Sequence, residues 1–453
     1  MPESPASSPL PRLTPAPILV LTAETHVRIT SLSAFLTPAL ALWLPSGYAW
    51  GSSMMLLAAL LAASTWVREP VTPPSARWLV LAIGLMALAW LHGSDWGRGV
   101  SVLNKPSRYL FALPCLFYAL RFPPRRQALL AGIAVGAAAG GLRALYDVDV
   151  LGLERPWTSA HDSANAIQLG NLCGLLGLMC WLQLLVYWER WRWPRRSAIA
   201  LCGVLGLIGS LLSQTRGGWL ALALCTPVLL WLLARQLSWR RASGGALLIV
   251  GMLLPLGWYM GDTIEQRLNW AVDETLSYQR NHEANNSVGH RLDHWQLAWR
   301  MGTDKPLGGW GDAGYAAEKA RRVAAGNAQP AVLNYGHAHN EVLDQFAKRG
   351  LIGVGGLLLL YGVPLALFWP RRRPDDRADP AHADRTCLRL LGVAMPLAFF
   401  GFGLTQVFFA HYNGVVIYLG LVTLLFATLT GLERARPHQS DPDQALTPVA
   451  AAA

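Results

Sequence analysis

Apolar residues along the chain gather into long runs separated by short polar breaks, with a single exception. The runs are about 17 to 25 residues long, the length a helix needs to cross a bilayer. They fall at about 29–47, 49–67, 77–93, 107–121, 127–146, 165–188, 197–214, 217–235, 244–260, 351–369, 387–409 and 412–432. This pattern predicts an all-α integral membrane protein of about twelve transmembrane helices. The exception is 261–350, a polar stretch of mixed charge that is too long for a passive connection. It reads as one large periplasmic loop containing short helices. The predicted order is a disordered cytoplasmic tail (1–27), nine transmembrane helices (28–260), the loop (261–350), three more helices (351–432) and a second cytoplasmic tail (433–453). The first tail is rich in Pro and Ser and lacks a basic segment before an apolar core, so it does not read as a cleavable signal.

Composition strengthens this picture. Of 453 residues, 53% are hydrophobic and only 14% charged, where a soluble protein carries about 25%. The net charge of +11 is unevenly spread. Arg190, Arg192, Arg195, Arg196, Arg235, Arg240, Arg241, Arg371, Arg372 and Arg373 fall on one side of the predicted bundle. The short loops on the other side hold only Arg98, Lys105, Arg108, Arg143, Arg155 and Arg216. That asymmetry places both termini in the cytoplasm. The positive charge is thus a topology signal, and nucleic-acid binding is excluded because no basic patch joins a soluble domain. Cys115, Cys173, Cys180, Cys202, Cys225 and Cys387 all lie within or beside apolar runs, which argues against disulfides and thiolate metal sites.

Inside the polar stretch, Arg291–Trp299 spaces Leu292, Trp295 and Trp299 on one helical face with Ala298 beside them. A helix lying on the membrane or capping the bundle is expected there. The following KPLGGWGDAGY (Lys305–Tyr315) is a flexible turn able to pass close to a ligand. It follows no strand, so it is no nucleotide fingerprint, and no Walker motif exists.

The polar residues at the bundle's outer edge carry the candidate chemistry. Arg216 interrupts two apolar runs joined almost without a loop. It is either a snorkelling interfacial arginine or an anion clamp, since a guanidinium binds phosphate through two parallel hydrogen bonds. Arg291 carries the same ambiguity. Asn165 and Gln168 open an apolar helix and fit either capping or ligand contact. His337, His339 and Asn340 stand before a helix-like run. With His290 and His294, spaced four apart, the histidines could form a metal site. They could equally be polar loop residues, or supply a general base near neutral pH.

His339-Asn340, followed after nine residues by Gly350-Leu-Ile-Gly353, resembles the signature of the O-antigen ligase and polymerase superfamily. Arg216-Gly-Gly-Trp-Leu220, and the run from Arg291 through Trp295 to PLGGWG, resemble its other motifs. The superfamily also includes protein O-oligosaccharyltransferases, which often carry a larger C-terminal extension. The resemblance favours an O-antigen ligase, a GT-C-like glycosyltransferase of the bacterial inner membrane. It implies a donor glycan on undecaprenyl diphosphate, a lipid A–core acceptor and surrounding membrane lipids as partners. His339 would be the base, with Arg216 and Arg291 on the diphosphate. Arg108, Asn165, Gln168, His337 and Asn340 would contact substrate, and the glycines at 350 and 353 would let the chain enter the bundle closely packed. No metal or other cofactor is implied. From a different class, a polyisoprenoid-lipid transporter or flippase would also be polytopic. Such proteins keep their polar sites near the bilayer midplane, whereas the candidates here gather at one face.

Overall fold

The computed structural model describes residues 21–156, 165–259, 261–281, 286–371 and 379–435. Every regular element among them is helical. The chain begins with α1 (Ala23–Ala39), α2 (Gly47–Leu61), α3 (Ala63–Arg68), α4 (Ala76–His92), α5 (Asn104–Arg121) and α6 (Arg126–Leu145). There follow α7 (Ala166–Tyr187), α8 (Trp193–Leu212), α9 (Arg216–Gln236) and α10 (Trp239–Tyr259). The polar stretch holds α11 (Gly261–Asn281), α12 (Ser287–Asp304) and α13 (Gly311–Ala324). The last three are α14 (Glu341–Phe368), α15 (His382–Gly403) and α16 (Tyr412–Arg434).

Each of the expected apolar runs falls on a helix, but fewer meet the length and hydropathy of a span. Seven do so among the described residues: α6 with the π-helical turn that follows it, α7, α8, α9, α14, α15 and α16. The run at 49–67 is not one rod: α2 stops at Leu61 and α3 restarts at Ala63. Helix α1 begins at Ala23, inside the stretch read as a tail, because Thr22 caps it by accepting from Thr25 N at 3.2 Å. The rest of that tail (1–20) and residues 436–453 lie outside the described residues.

Helix α7 is the axis of the bundle. It is buried along its length and packs against α6, α8, α9 and α15. Close approach comes from small residues: a Cβ on Gly132 or Gly136 of α6 would stand 2.3 or 2.2 Å from the carbonyl oxygens of Phe35 and Pro38 in α1. Glycines one turn apart let two helix backbones meet, which drives association where the surrounding lipid is as apolar as the side chains.

The polar stretch is more ordered than a loop. Beyond its three helices and a 3-10 turn, Pro330–Asn334, it has a small core of its own, in which Leu297, Ala298, Met301, Tyr315 and Val332 pack together. The buried face of α12 is His294, Leu297, Ala298 and Met301. The expected Leu292–Trp295–Trp299 face lies beside this buried one, with Trp299 57% exposed.

Helix α14 starts inside the expected loop and turns a corner at Gly350, where φ is 58°. There Leu351 N donates to Pro306 O at 2.7 Å and Ile352 N to Leu307 O at 3.3 Å. A Cβ at Gly350 would lie 2.3 Å from Leu307 O, so this glycine serves a backbone corner beside the 306–307 turn. Arg349, just before it, is fully buried. Its guanidinium lies 3.6 Å over the Trp90 ring and its Nη2 donates to Asp312 at 3.1 Å. Asp312 N donates to Gly93 O at 2.8 Å. These contacts seat the polar unit on the end of α4.

Candidate active site

The histidine segment, Tyr335 to Asn340, is held by buried charges. Lys319 of α13 donates to the carbonyls of Val332 (2.8 Å) and Tyr335 (2.5 Å). Lys348 of α14 donates to Gly336 O at 2.8 Å and pairs with Asp344 at 2.9 Å. Asp344 Oδ1 accepts from Ala338 N at 2.9 Å. The two ammonium groups sit 5.2 and 5.0 Å from the centre of the buried Tyr315 ring. This clamp matters because His339 has φ of 53°, the left-handed region. A non-glycine residue held there costs on the order of 1–3 kcal/mol, so the surroundings must impose it.

Asn340 is the N-cap of α14: its Oδ1 accepts from Leu343 N at 3.1 Å. Its Nδ2 donates to Leu404 O at 3.2 Å, and Glu341 Oε2 accepts from Phe409 N at 3.0 Å. Both bonds draw in the connection between α15 and α16. The apolar run expected at 387–409 ran too far, since α15 ends at Gly403 and the next residues bend across the site. His411 at the end of this connection lies 5.9 Å from His337, ring to ring.

The imidazoles meet edge to face. The His339 ring is 4.4 Å from His337, 4.7 Å from Tyr335 and 5.7 Å from His294. Burial and the neighbouring Arg291 charge push His339 down to about 4. Gln406 opposes that shift, although its Oε1 stands outside ordinary hydrogen-bond geometry. Burial, then the charge of a neighbouring group, also lowers His294 and His337 to about 3 and His411 to about 4. The cluster is therefore neutral near pH 7, able to accept protons. The buried His339 Nδ1 and both ring nitrogens of His294 lack hydrogen-bond partners. Among the described residues no three His, Cys, Asp or Glu side chains converge as a metal-ligand set.

Arg291 lies one turn before His294 on α12. Burial lowers its pKa, and so does the charge of Arg216. The two guanidinium groups are thus near enough to repel, and Arg291 acts in turn on His339. Arg216 is the first residue of α9, and its neighbour Gly217 abuts Thr405, where a Cβ would stand 1.9 Å from Oγ1. Three segments far apart in sequence therefore bring His339, Arg291 and Arg216 together.

Other candidates are placed differently. Asn165 caps α7 by accepting from Gln168 N at 3.0 Å. The buried Gln168 accepts from Asn413 of α16 at 2.9 Å, which joins two helices. Arg108 of α5 donates to Asn104 at 2.7 Å and lies 3.3 Å over the Tyr412 ring. Through Tyr412 it stands on the His411 side of the histidine segment. Lys319, Lys348, Asp344, Gln406 and His411 were missed from sequence. Asp344 and Lys348, four apart, look like a surface pair, and Gln406 was hidden in an apolar run.

Residues 201–358 match the sequence model of a protein family described as O-antigen ligase. That region contains Arg216, Arg291, His337, His339 and Asn340. The chain is also 26% identical over 320 residues to an uncharacterised protein of Haemophilus influenzae, covering 71% of this chain and 78% of that protein.

Proposed function

From the match of residues 201–358 to a family described as O-antigen ligase, and from the seven helices long and apolar enough to cross a membrane among the described residues, we propose that this chain is an O-antigen ligase. In this reading it transfers a glycan from undecaprenyl diphosphate to a sugar hydroxyl of lipid A–core, at the periplasmic face of the inner membrane. The observation that carries the reading is a half-buried imidazole, His339, held in a left-handed backbone conformation with its Nδ1 buried and unpartnered, near Arg291, whose guanidinium feels the charge of Arg216.

His339 takes the proton of the acceptor hydroxyl as its oxygen attacks the anomeric carbon. The bond from that carbon to the diphosphate breaks, and its electron pair leaves with the diphosphate. Arg291 and Arg216 hold that group and stabilise the charge it gains. Arginine suits this role because its planar fork meets two phosphate oxygens at once. The buried setting strengthens such interactions, while the clamped segment holds the imidazole in one place. The basic residues near Arg196 support a cytoplasmic position for that end, with the polar unit opposite.

The test is transfer in vesicles with three defined acceptors: core lipid, a growing O-antigen chain on its lipid, and a pilin-like protein. Transfer to core lipid supports the ligase. Transfer only to the growing chain or to the protein would make it a polymerase or a protein glycosyltransferase. Transbilayer movement of donor without glycan transfer would make it a flippase. Tags at Arg196 and Gly326 should report cytoplasm and periplasm; a cytoplasmic signal from Gly326 would overturn the orientation.

A further inference from the structure

A crevice of about 140 Å³ enters the bundle between α2, α5 and α16, with Thr37 of α1 on its wall. It starts at Arg108 and runs past Ala112 and Cys115, about two helical turns or ~10 Å along α5. We propose that it takes one acyl chain of the acceptor glycolipid, with Arg108 on that lipid's phosphate. This rests on the ligase reading for the identity of the acceptor.

Charge is the first reason. Among the described residues Arg108 has no carboxylate partner: it donates to the Asn104 amide and stacks on Tyr412, and the ionisable groups around it are Tyr412, Tyr48 and Tyr109. An arginine at a membrane bundle without a counter-ion is costly, and a lipid phosphate supplies that ion with matching geometry. It is a single guanidinium, suited to a monophosphate, whereas the coupled Arg216 and Arg291 suit a diphosphate.

Shape is the second. Ala49, Ser52, Ser53, Ala112, Cys115 and Gly420 line much of the slot. Small side chains leave a narrow space that admits an unbranched chain more readily than a methyl-branched isoprenoid.

Unmet polarity is the third. Ser52 Oγ and Thr423 Oγ1 line the crevice, are buried and have no hydrogen-bond partner. Some hydroxyls elsewhere in the bundle satisfy themselves on the preceding turn, as Thr428 does on Leu424 O at 2.6 Å and Thr226 on Leu222 O at 2.7 Å, while Ser33 and Ser210 do not. An isoprenoid hydrocarbon would leave both orphaned. An acyl chain bearing hydroxyl or ester groups would satisfy them once their side chains rotate into the crevice. Placement completes the case, since Tyr412 adjoins His411, which faces His337 at 5.9 Å. The two lipids would approach the histidine segment from opposite flanks.

The test uses the full-length protein in nanodiscs. KM is measured separately for core lipid and for the undecaprenyl diphosphate donor, and native mass spectrometry follows binding of hexa-acyl lipid A and of undecaprenyl diphosphate. Arg108→Ala and Ala112→Trp should each raise the acceptor KM about tenfold without raising the donor KM. Ala112→Trp should lose bound lipid A while keeping undecaprenyl diphosphate, and that retained binding also reports an intact fold. Ser52→Ala, a milder change, should weaken lipid A binding about threefold. A raised donor KM with loss of undecaprenyl diphosphate would assign the crevice to the donor and overturn the proposal, as would lipid A binding unchanged in every variant. If the wild-type protein transfers nothing to core lipid, the ligase reading fails, yet lipid A binding still decides the crevice.

Discussion

The Lys319 ammonium reaches across from α13 to the carbonyl of Tyr335 at 2.5 Å, and to that of Val332 at 2.8 Å. It holds the segment that presents His339 without touching the imidazole. A hydrogen bond to a charged group is worth about 1.5–3 kcal/mol, and misplacing a base by a fraction of an ångström lowers the rate.

Lys319→Met should therefore lower kcat by about tenfold or more with little change in donor KM. Lys319→Arg should recover part of the loss, since it retains a donor and a charge. Transfer kinetics in nanodiscs give both numbers. Undiminished kcat in Lys319→Met would mean that the segment holds its place without the clamp.

His339 and His337 are two residues apart and 4.4 Å apart as rings, so they make a stringent pair. His339→Ala should reduce kcat by about 10²- to 10⁴-fold, as expected for a lost general base, and leave donor binding intact. His337 only supports: its Nδ1 accepts the His339 N–H at 3.4 Å, a weak bond. His337→Ala should be milder. The reverse ranking would move the base by two residues, and full activity in both variants would remove a loop imidazole from the mechanism.

What the sequence could and could not convey follows from what each signal depends on. Helix positions rest on local hydropathy, so every apolar run found its helix. Span number depends on helix length as well, and Ala62 divides one run while α1 and α4 stop at 17 residues each. His339, Arg216 and Arg291 could be singled out as candidates because their motifs are local. Their proximity, and the Lys319–Lys348–Asp344 clamp, arise from packing of α12 and α13 on α14 and of α9 on α15, which no short stretch encodes. The buried side of α12 was not legible because it is centred on His294, whose complete burial is unusual for a histidine.

Gly350 offers a test of stability rather than of chemistry. Gly350→Ala places a Cβ 2.3 Å from Leu307 O at a φ of 58°. Strain in that region costs on the order of 1–3 kcal/mol before the clash is counted. The polar unit should loosen from the bundle, with a lower Tm and faster proteolysis between α12 and α13. Gly355→Ala on the same helix meets open space and should change neither. Equal Tm values for both variants would contradict the corner.

The pH dependence joins the base to its neighbour. A base must be neutral to accept a proton, so activity is present above the imidazole pKa and lost as pH falls through it. For the free enzyme that value is about 4, depressed from 6.5 by burial first and the Arg291 charge second. The acidic limb of kcat/KM, which reports the free enzyme, should therefore lie near 4. Donor binding places the negative diphosphate against Arg291, cancels part of its field and raises the pKa of His339. The acidic limb of kcat, which reports the bound enzyme, should lie higher. Arg291→Gln removes the same field and should raise the limb of kcat/KM even without donor. On the alkaline side, Lys319 is lowered to about 8 by burial and then by the Lys348 charge. The clamp keeps its proton below that pH and loses it above, so the rate should decline as pH rises through about 8, and Lys319→Arg should move this decline upward. Initial rates measured from pH 3 to 10 for wild type and both variants decide the matter. An acidic limb of kcat/KM at 6.5, unmoved in Arg291→Gln, would show that Arg291 does not act on the catalytic imidazole.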